Sequence, residues 1–150
     1  MIILVINCGS SSIKYQLLDM KNDDVYSLLA KGIVEKIGLE CGRLQHTPAG
    51  KEKVVKDLPV PDHTVGMQIV LDALIDKDHG VLKSFDDIEA VGHRIVQGAD
   101  FFSGSAIVDE DVIKKIDFCC DFAPLHNPAH LLGIRACQEV LPSVPQVVTF

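Results

Sequence analysis

The stretch over residues 2–14, I-I-L-V-I-N-C-G-S-S-S-I-K, decides the predicted fold. Residues 2–7 form a short apolar run rich in branched side chains, which predicts a buried strand. Residues 9–12 are turn formers, and the apolar pattern resumes over residues 13–18 as a second strand. Strands joined by so short a turn are antiparallel neighbours, so the stretch predicts a β-hairpin at the start of a sheet.

Downstream of the hairpin, a third strand and a first helix are predicted. A turn over residues 21–24 precedes a strand over residues 25–37. Residues 38–61 hold glycines, prolines and many charges, which predicts short hairpin strands and loops. Asp62 or Thr64 then caps a helix. The apolar residues of this helix follow the i, i+3, i+4, i+7 spacing of one helical face: Met67, Val70, Leu71 and Leu74.

The second half of the chain predicts strands alternating with helices. An apolar run over residues 88–96, interrupted by the triplet at 92–94, predicts a strand. Asp109 caps a short helix, and Asn127 followed by Pro128 starts a longer one, because proline suits the first helical position. Residues 146–150 begin a last strand, and the chain stops there with no turn or cap. We therefore expect residues 1–150 to be one domain of a longer protein, with a second domain absent.

Composition excludes several classes of protein. The chain has 150 residues, 47% of them apolar, and a net charge of −7. This size and apolarity predict one ordered domain, and the charge argues against nucleic acid or an anionic membrane as the main partner. Five cysteines without a C-x-x-C pair predict reduced thiols in a cytoplasmic protein. The apolar start is far shorter than the roughly 20 residues that cross a bilayer.

The turn of the first hairpin has the residue types of a phosphate-binding loop. Gly9 allows a close backbone approach, Ser10 and Ser12 add hydroxyl donors, and Lys14 adds a positive charge. Asn7 offers a neutral carbonyl oxygen for a hydrated magnesium ion. The alternative is an ordinary Gly-Ser hairpin turn. A P-loop is excluded because the G-K-[ST] ending is missing and strands flank the turn on both sides.

Two further segments carry candidate site residues. Arg94 ends a predicted buried strand, where a guanidinium meets either an anionic ligand or an internal carboxylate. His93 beside it is interpreted as a hydrogen-bonded core histidine. In residues 123–128, two prolines place His126 at a helix amino terminus, which attracts anions; the alternative is a capped turn with an incidental histidine.

Four other histidines lie in polar or irregular stretches of the sequence, and no role is predicted for them. They are His46, His63, His79 and His130.

Together these segments resemble the acetate kinase family. V-I-N-C-G-S-S-S-I-K-Y (residues 5–15), G-H-R-I-V-Q-G (92–98) and A-P-L-H-N-P-A-H (123–130) are similar to three conserved blocks of that family, in the same order. The resemblance implies an α/β, actin-like ATPase (ribonuclease H-like) domain with the order β-β-β-α-β-α-β and a mixed sheet. It also implies phosphoryl transfer between ATP and acetate, giving ADP and acetyl phosphate, with Mg²⁺.

The resemblance assigns a role to each candidate. Asn7 places magnesium, and Arg94 binds the anionic group of the substrate. Val96 and Leu125 form the wall of a pocket for the methyl group, and His126 contacts the transferring phosphoryl group. The phosphate path is lined by residues of the first turn: Gly9, Ser10, Ser12 and Lys14.

Some residues differ from the family pattern, and some parts of the family's site are expected outside residues 1–150. Gln97 and Ala99 stand where the family has other residues in the block H-G-G-E. A catalytic aspartate is expected directly after Phe150, and most of the adenine site is expected in the second domain. The 150-residue chain alone is therefore expected to be inactive. The full-length protein is expected to be a homodimer in the cytoplasm, with neither nucleic acid nor membrane as a partner.

Two alternatives stay open at this point. A propionate or butyrate kinase differs from an acetate kinase only in pocket size, and Asn127-Pro128-Ala129-His130 favours acetate. A non-catalytic binding or assembly module of the actin-like fold belongs to another class. Arg94 and the serine-rich turn argue against a pure scaffold, because a scaffold does not need an arginine directed at a loop of serines.

Overall fold

A computed structural model describes residues 1–22, 25–95, 106–121 and 127–149, with one mixed sheet. Its strands, numbered along the chain, are β1 (Ile2–Gly9), β2 (Ser12–Met20), β3 (Tyr26–Glu35), β4 (Gly42–Pro48), β5 (Val54–Leu58), β6 (Ala90–Arg94), β7 (Ala106–Ile107) and β8 (Gln146–Thr149). The helices are α1 (His63–Ile75), α2 (Glu110–Phe118) and α3 (Asn127–Val140). No helix in these ranges is long and apolar enough to cross a membrane.

The strand order is β5-β4-β3-β2-β1-β6-β8-β7. The strands β1 to β5 form an antiparallel meander, while β6 and β8 add to the other side of β1 in parallel. This confirms the predicted hairpin, the short hairpin strands within residues 38–61 and the mixed sheet. In the hairpin, Gly9 pairs with Ser12, so Ser10 and Ser11 form a two-residue turn.

The helices cover one face of the sheet. Along β1 and β2, alternate residues point toward α1 and α3 and are buried, as for Leu4, Ile6 and Ile13. Their neighbours in sequence, such as Asn7 and Lys14, are exposed on the opposite face. This alternation follows from the two-residue period of a strand, and it places the core between the sheet and the helices.

The first helix begins where the sequence predicts it. The Asp62 carboxylate accepts a hydrogen bond from the Val65 amide at 2.9 Å, which satisfies one of the free N–H groups of the first turn. The four residues of the predicted apolar stripe are all buried. Gly66 lies so close to β2 that a Cβ there would be 2.9 Å from Ile13 Cδ1. The start of α1 therefore packs tightly behind the first hairpin.

Some predicted element bounds were wrong. The third strand covers Tyr26–Glu35 and the next predicted strand covers Ala90–Arg94, both shorter than the apolar patterns. Gly92, His93 and Arg94 do not interrupt that strand but form its carboxyl-terminal part. The two-residue strand β7 was not predicted, because so short a pairing leaves no periodicity in the sequence.

A buried polar chain joins β6, β8 and α3. His93 is 3% exposed, and its Nε2 donates to Gln146 Oε1 at 2.6 Å. The amide nitrogen of Gln146 in turn donates to the Ile134 carbonyl at 3.4 Å. His93 is therefore a hydrogen-bonded core histidine, as predicted. Burial lowers the pKa of His93 to about 4, because a charged imidazolium would lose its hydration there.

We expect the free energy of unfolding to fall as the pH drops from about 6.5 to about 4. In this window the unfolded chain binds a proton at His93 and the folded chain does not, so acid favours unfolding. The total loss from this group is about 3 kcal/mol. Urea titrations at several pH values measure the effect.

His93→Gln is the matched variant, because glutamine still offers a donor but does not titrate. The difference in free energy of unfolding between His93→Gln and the parent chain should change between about pH 6.5 and about pH 4. The carboxylates titrate in both proteins, so their contribution cancels in this difference. A difference that stays constant from pH 7 to pH 4 contradicts this account of His93.

Candidate functional site

One side-chain and one backbone hydrogen bond hold the turn between β1 and β2 against the rest of the domain. The Nε2 atom of His63, at the start of α1, lies 2.8 Å from the Gly9 carbonyl oxygen. The Ile37 amide donates to the Ser11 carbonyl oxygen at 3.0 Å. Two carbonyl groups of the turn thus face the body of the domain, and Ser10 lies exposed at the tip.

Strand register brings three candidate residues to one place. Asn7 pairs with Lys14 on β2, and Ile6 pairs with His93 on β6, so Arg94 follows beside Asn7. All three predicted residues are exposed on the helix-free face. The sequence motifs that contain them are separated by about 80 residues, and the parallel pairing of β1 with β6 joins them.

These side chains line one cavity of about 280 Å³. Of the predicted site residues, the cavity wall contains Asn7, Gly9, Ser12, Lys14 and Arg94. The remaining wall residues are Cys8 and His130. Ser10 is not part of this wall.

The charge of the cavity suits an anion. Lys14 and Arg94 are cationic, and none of the described residues in the wall is acidic. Neither cation forms an ion pair with any residue in the described ranges. Within the described ranges, Arg94 therefore has no carboxylate partner. Arg94 is also exposed at the strand end, not buried as its apolar neighbours suggested.

A second, larger cavity of about 510 Å³ continues from the first across the helix-free face. It shares Asn7, Lys14 and Arg94 with the first and extends over β2 to β4. Lys31 on β3 and Lys53, directly before β5, add positive charge. The first cavity therefore opens onto a surface of the sheet that carries several cationic side chains.

Three predicted residues lie outside the described part of the chain. They are Val96, Leu125 and His126. The methyl pocket and the phosphoryl contact of His126 stay predictions.

The cavity provides few ligands for a metal ion of its own. Within the described ranges, no group of three or more His, Cys, Asp or Glu side chains is placed to hold a metal. Asn7 lines the wall, and its side-chain amide has one carbonyl oxygen. This donor set fits an ion such as Mg²⁺, which keeps several waters and takes further ligands from substrate phosphates.

Two histidines near the cavity were missed by the sequence analysis. His63 and His130 are buried, although both were assigned to polar or irregular stretches. A helical signal identifies His63: it precedes Met67 by four residues and so shares the buried face of α1. His130 stands in the same relation to Ile134 on α3. The same correction applies to His46 on β4, which is buried and bonded to the Tyr15 hydroxyl.

Comparisons with known proteins identify the family of the chain. The sequence profile of the Acetokinase family matches residues 2–150. An acetate kinase of Caldanaerobacter subterraneus subsp. tengcongensis is 51% identical over 148 residues, which are 99% of this chain and 36% of that protein. The chain thus spans about a third of the length of such curated relatives.

Solved structures show the same fold. The crystal structure of Porphyromonas gingivalis acetate kinase superposes with a TM-score of 0.95 at 44% identity, covering 99% of this chain and 37% of that one. The structure of a propionate kinase from Francisella tularensis subsp. tularensis gives 0.85 at 37% identity, covering 99% and 36%. The domain therefore has the actin-like ATPase fold of these kinases, and the chain belongs to the acetokinase family.

Proposed function

We propose that residues 1–150 are the amino-terminal domain of an acetate kinase, which transfers a phosphoryl group between ATP and acetate. The single observation that carries this proposal is the cavity shared by Lys14, Arg94 and the Gly9–Ser12 turn, with two unpaired cations and no acidic wall residue in the described ranges. Membership of the acetokinase family supports the same reaction.

The two cations are placed so that one binds the phosphoryl donor and the other binds the phosphoryl acceptor. Lys14 and Arg94 lie on β2 and β6, which flank β1 on opposite sides. Neighbouring strands are about 4.8 Å apart, so the two backbones are separated by about 10 Å. Lys14 and Ser12 bind phosphate oxygens of the nucleotide. The planar fork of Arg94 binds the carboxylate of acetate, or the phosphate of acetyl phosphate, through two parallel hydrogen bonds.

Phosphoryl transfer depends on this positioning and on charge neutralisation. The protein itself takes little part in covalent chemistry. It holds the attacking and leaving oxygens in line with the phosphorus atom and neutralises the charge on the phosphoryl oxygens. Bound Mg²⁺ supplies further neutralisation of the phosphate oxygens. Asn7 holds its hydration shell, since its side chain lies between the two cations.

Other parts of the proposed site come from the remaining predicted residues. His126 contacts the transferring phosphoryl group, and Val96 and Leu125 form the wall of the methyl pocket. A catalytic aspartate directly after Phe150 and a second domain with the adenine site complete the enzyme, which is a cytoplasmic homodimer. The 150-residue chain alone is then inactive.

A propionate kinase is the second candidate, because the Francisella propionate kinase shares this fold over 99% of the chain. One additional methylene group on the substrate changes the free energy by which a pocket discriminates between two carboxylates by only about 1–3 kcal/mol. Butyrate, which is longer than propionate by one methylene group, is the next substrate in this series of carboxylates.

The experiment that tests the proposal is hydroxylamine trapping of acyl phosphate by the full-length protein with Mg-ATP. We expect turnover with acetate to exceed that with propionate and butyrate, and the 150-residue chain to be silent. Faster turnover with propionate selects the second candidate. No acyl phosphate from any of the three carboxylates contradicts the kinase assignment and favours a binding module.

Arg94→Ala in the full-length protein should lower kcat/KM for acetate by at least about tenfold, the equivalent of about 1.4 kcal/mol of lost transition-state stabilisation. The reason is that the variant leaves the substrate anion without its bidentate partner. Steady-state kinetics with acetate as the varied substrate measure the change.

Arg43→Ala is the matched control, because Arg43 is an arginine on the same sheet that pairs with Asp57 at 2.7 Å and does not line either cavity at the site. Its kinetics should equal those of the parent enzyme. Unchanged kinetics in Arg94→Ala would remove Arg94 from the substrate site.

A further inference from the structure

We propose that His63 is a positioning residue for the phosphate-binding turn. Its ring N–H fixes the Gly9 carbonyl and thereby the direction of the Ser10 amide. The inference rests on the proposed function for its kinetic test, and it assigns a role to a residue that contacts neither substrate.

The contact between His63 and Gly9 is short and shielded from water. Nε2 lies 2.8 Å from the carbonyl oxygen, and the His63 residue is 6% exposed. A carbonyl oxygen only accepts, so Nε2 must carry the hydrogen. The hydrogen bond therefore runs from His63 Nε2 to the Gly9 carbonyl oxygen.

His63 cannot follow a movement of the turn without shifting α1. It is the first residue of the helix and directly follows the cap Asp62, whose carboxylate holds the Val65 amide. Three residues further on, Gly66 packs against Ile13 at the start of β2. The first turn of the helix is thus closed by its Asp62 cap and packed against the hairpin at Gly66, and the backbone that carries the imidazole lies between these two positions.

Fixing the Gly9 carbonyl also fixes the next amide. The peptide between Gly9 and Ser10 is trans and planar, so its C=O and N–H groups point in opposite directions. Because the carbonyl points back to His63, the Ser10 N–H points away from α1, on the exposed side of the turn. Rotation of this peptide would exchange a hydrogen-bond donor for an acceptor, which repels phosphate.

The other end of the turn has its own support. The Ile37 amide holds the Ser11 carbonyl at 3.0 Å, and the Gly38 amide holds the Val60 carbonyl at 2.8 Å. Gly9 also pairs with Ser12 in the hairpin, so loss of the His63 donor removes one restraint on the Gly9–Ser10 peptide and leaves the Ser11 end of the turn in place. The defect that we expect is local and acts on the phosphate side of the site.

The test compares two substitutions of His63 in the full-length protein. His63→Gln keeps an N–H donor near the position of Nε2, and His63→Leu removes the donor at similar volume. We expect His63→Leu to lower kcat/KM for Mg-ATP by about tenfold, with KM for acetate changed by less than about twofold. His63→Gln should restore kcat/KM to within about threefold of the parent enzyme.

His46→Leu is the matched control for a purely structural loss. His46 is 1% exposed, is bonded to Tyr15 and to the His79 carbonyl, and lines neither cavity at the site. Loss of folded protein in this variant lowers kcat and leaves both KM values unchanged. The same behaviour in His63→Leu, with an unchanged KM for Mg-ATP, overturns the positioning role while the kinase assignment stands.

Failure of the kinase assignment is a separate outcome. If the parent protein phosphorylates no carboxylate, calorimetric titration with inorganic pyrophosphate replaces the kinetic readout. Weaker binding by His63→Leu than by the parent protein and His63→Gln then supports the positioning role. Equal affinity in all three proteins, or no binding by the parent protein, overturns it.

Discussion

The register of β1 against its two neighbours is the constraint on which the rest of the structure depends. Its antiparallel pairing with β2 sets Asn7 opposite Lys14, and its parallel pairing with β6 sets Ile6 opposite His93. The same register buries Leu4 under the helices. A slip by one residue would turn the polar side chains into the core and the apolar ones outward, so core and site are specified together.

The hairpin and α1 could be predicted because their signals are local. The apolar run, the glycine-serine turn and the resumed apolar run lie within one short stretch, and burial then selects the register. In α1, the cap Asp62 and the spacing of Met67 and Leu71 are both visible in the sequence. The strand β7 lacks any such signal, because its two residues pair with β8 only once the sheet has formed.

The candidate site could be predicted only in part, because half of it depends on long-range pairing. The turn residues and Lys14 are adjacent in sequence, whereas Arg94 reaches Asn7 through a crossover that contains α1. The burial of His63 was missed because a histidine beside a helix cap resembles a polar surface residue. Its place on the buried helical face, and its bond to Gly9, follow from packing.

A crystal structure of the full-length protein with Mg-ADP and acetate would show directly which residues hold the two reactants. We expect phosphate oxygens at the turn between Gly9 and Ser12 and beside Lys14, with the acetate carboxylate bound by both arms of the Arg94 guanidinium. Nucleotide phosphates bound away from this turn, or acetate without contact to Arg94, would contradict the proposal that this one cavity holds both reactants.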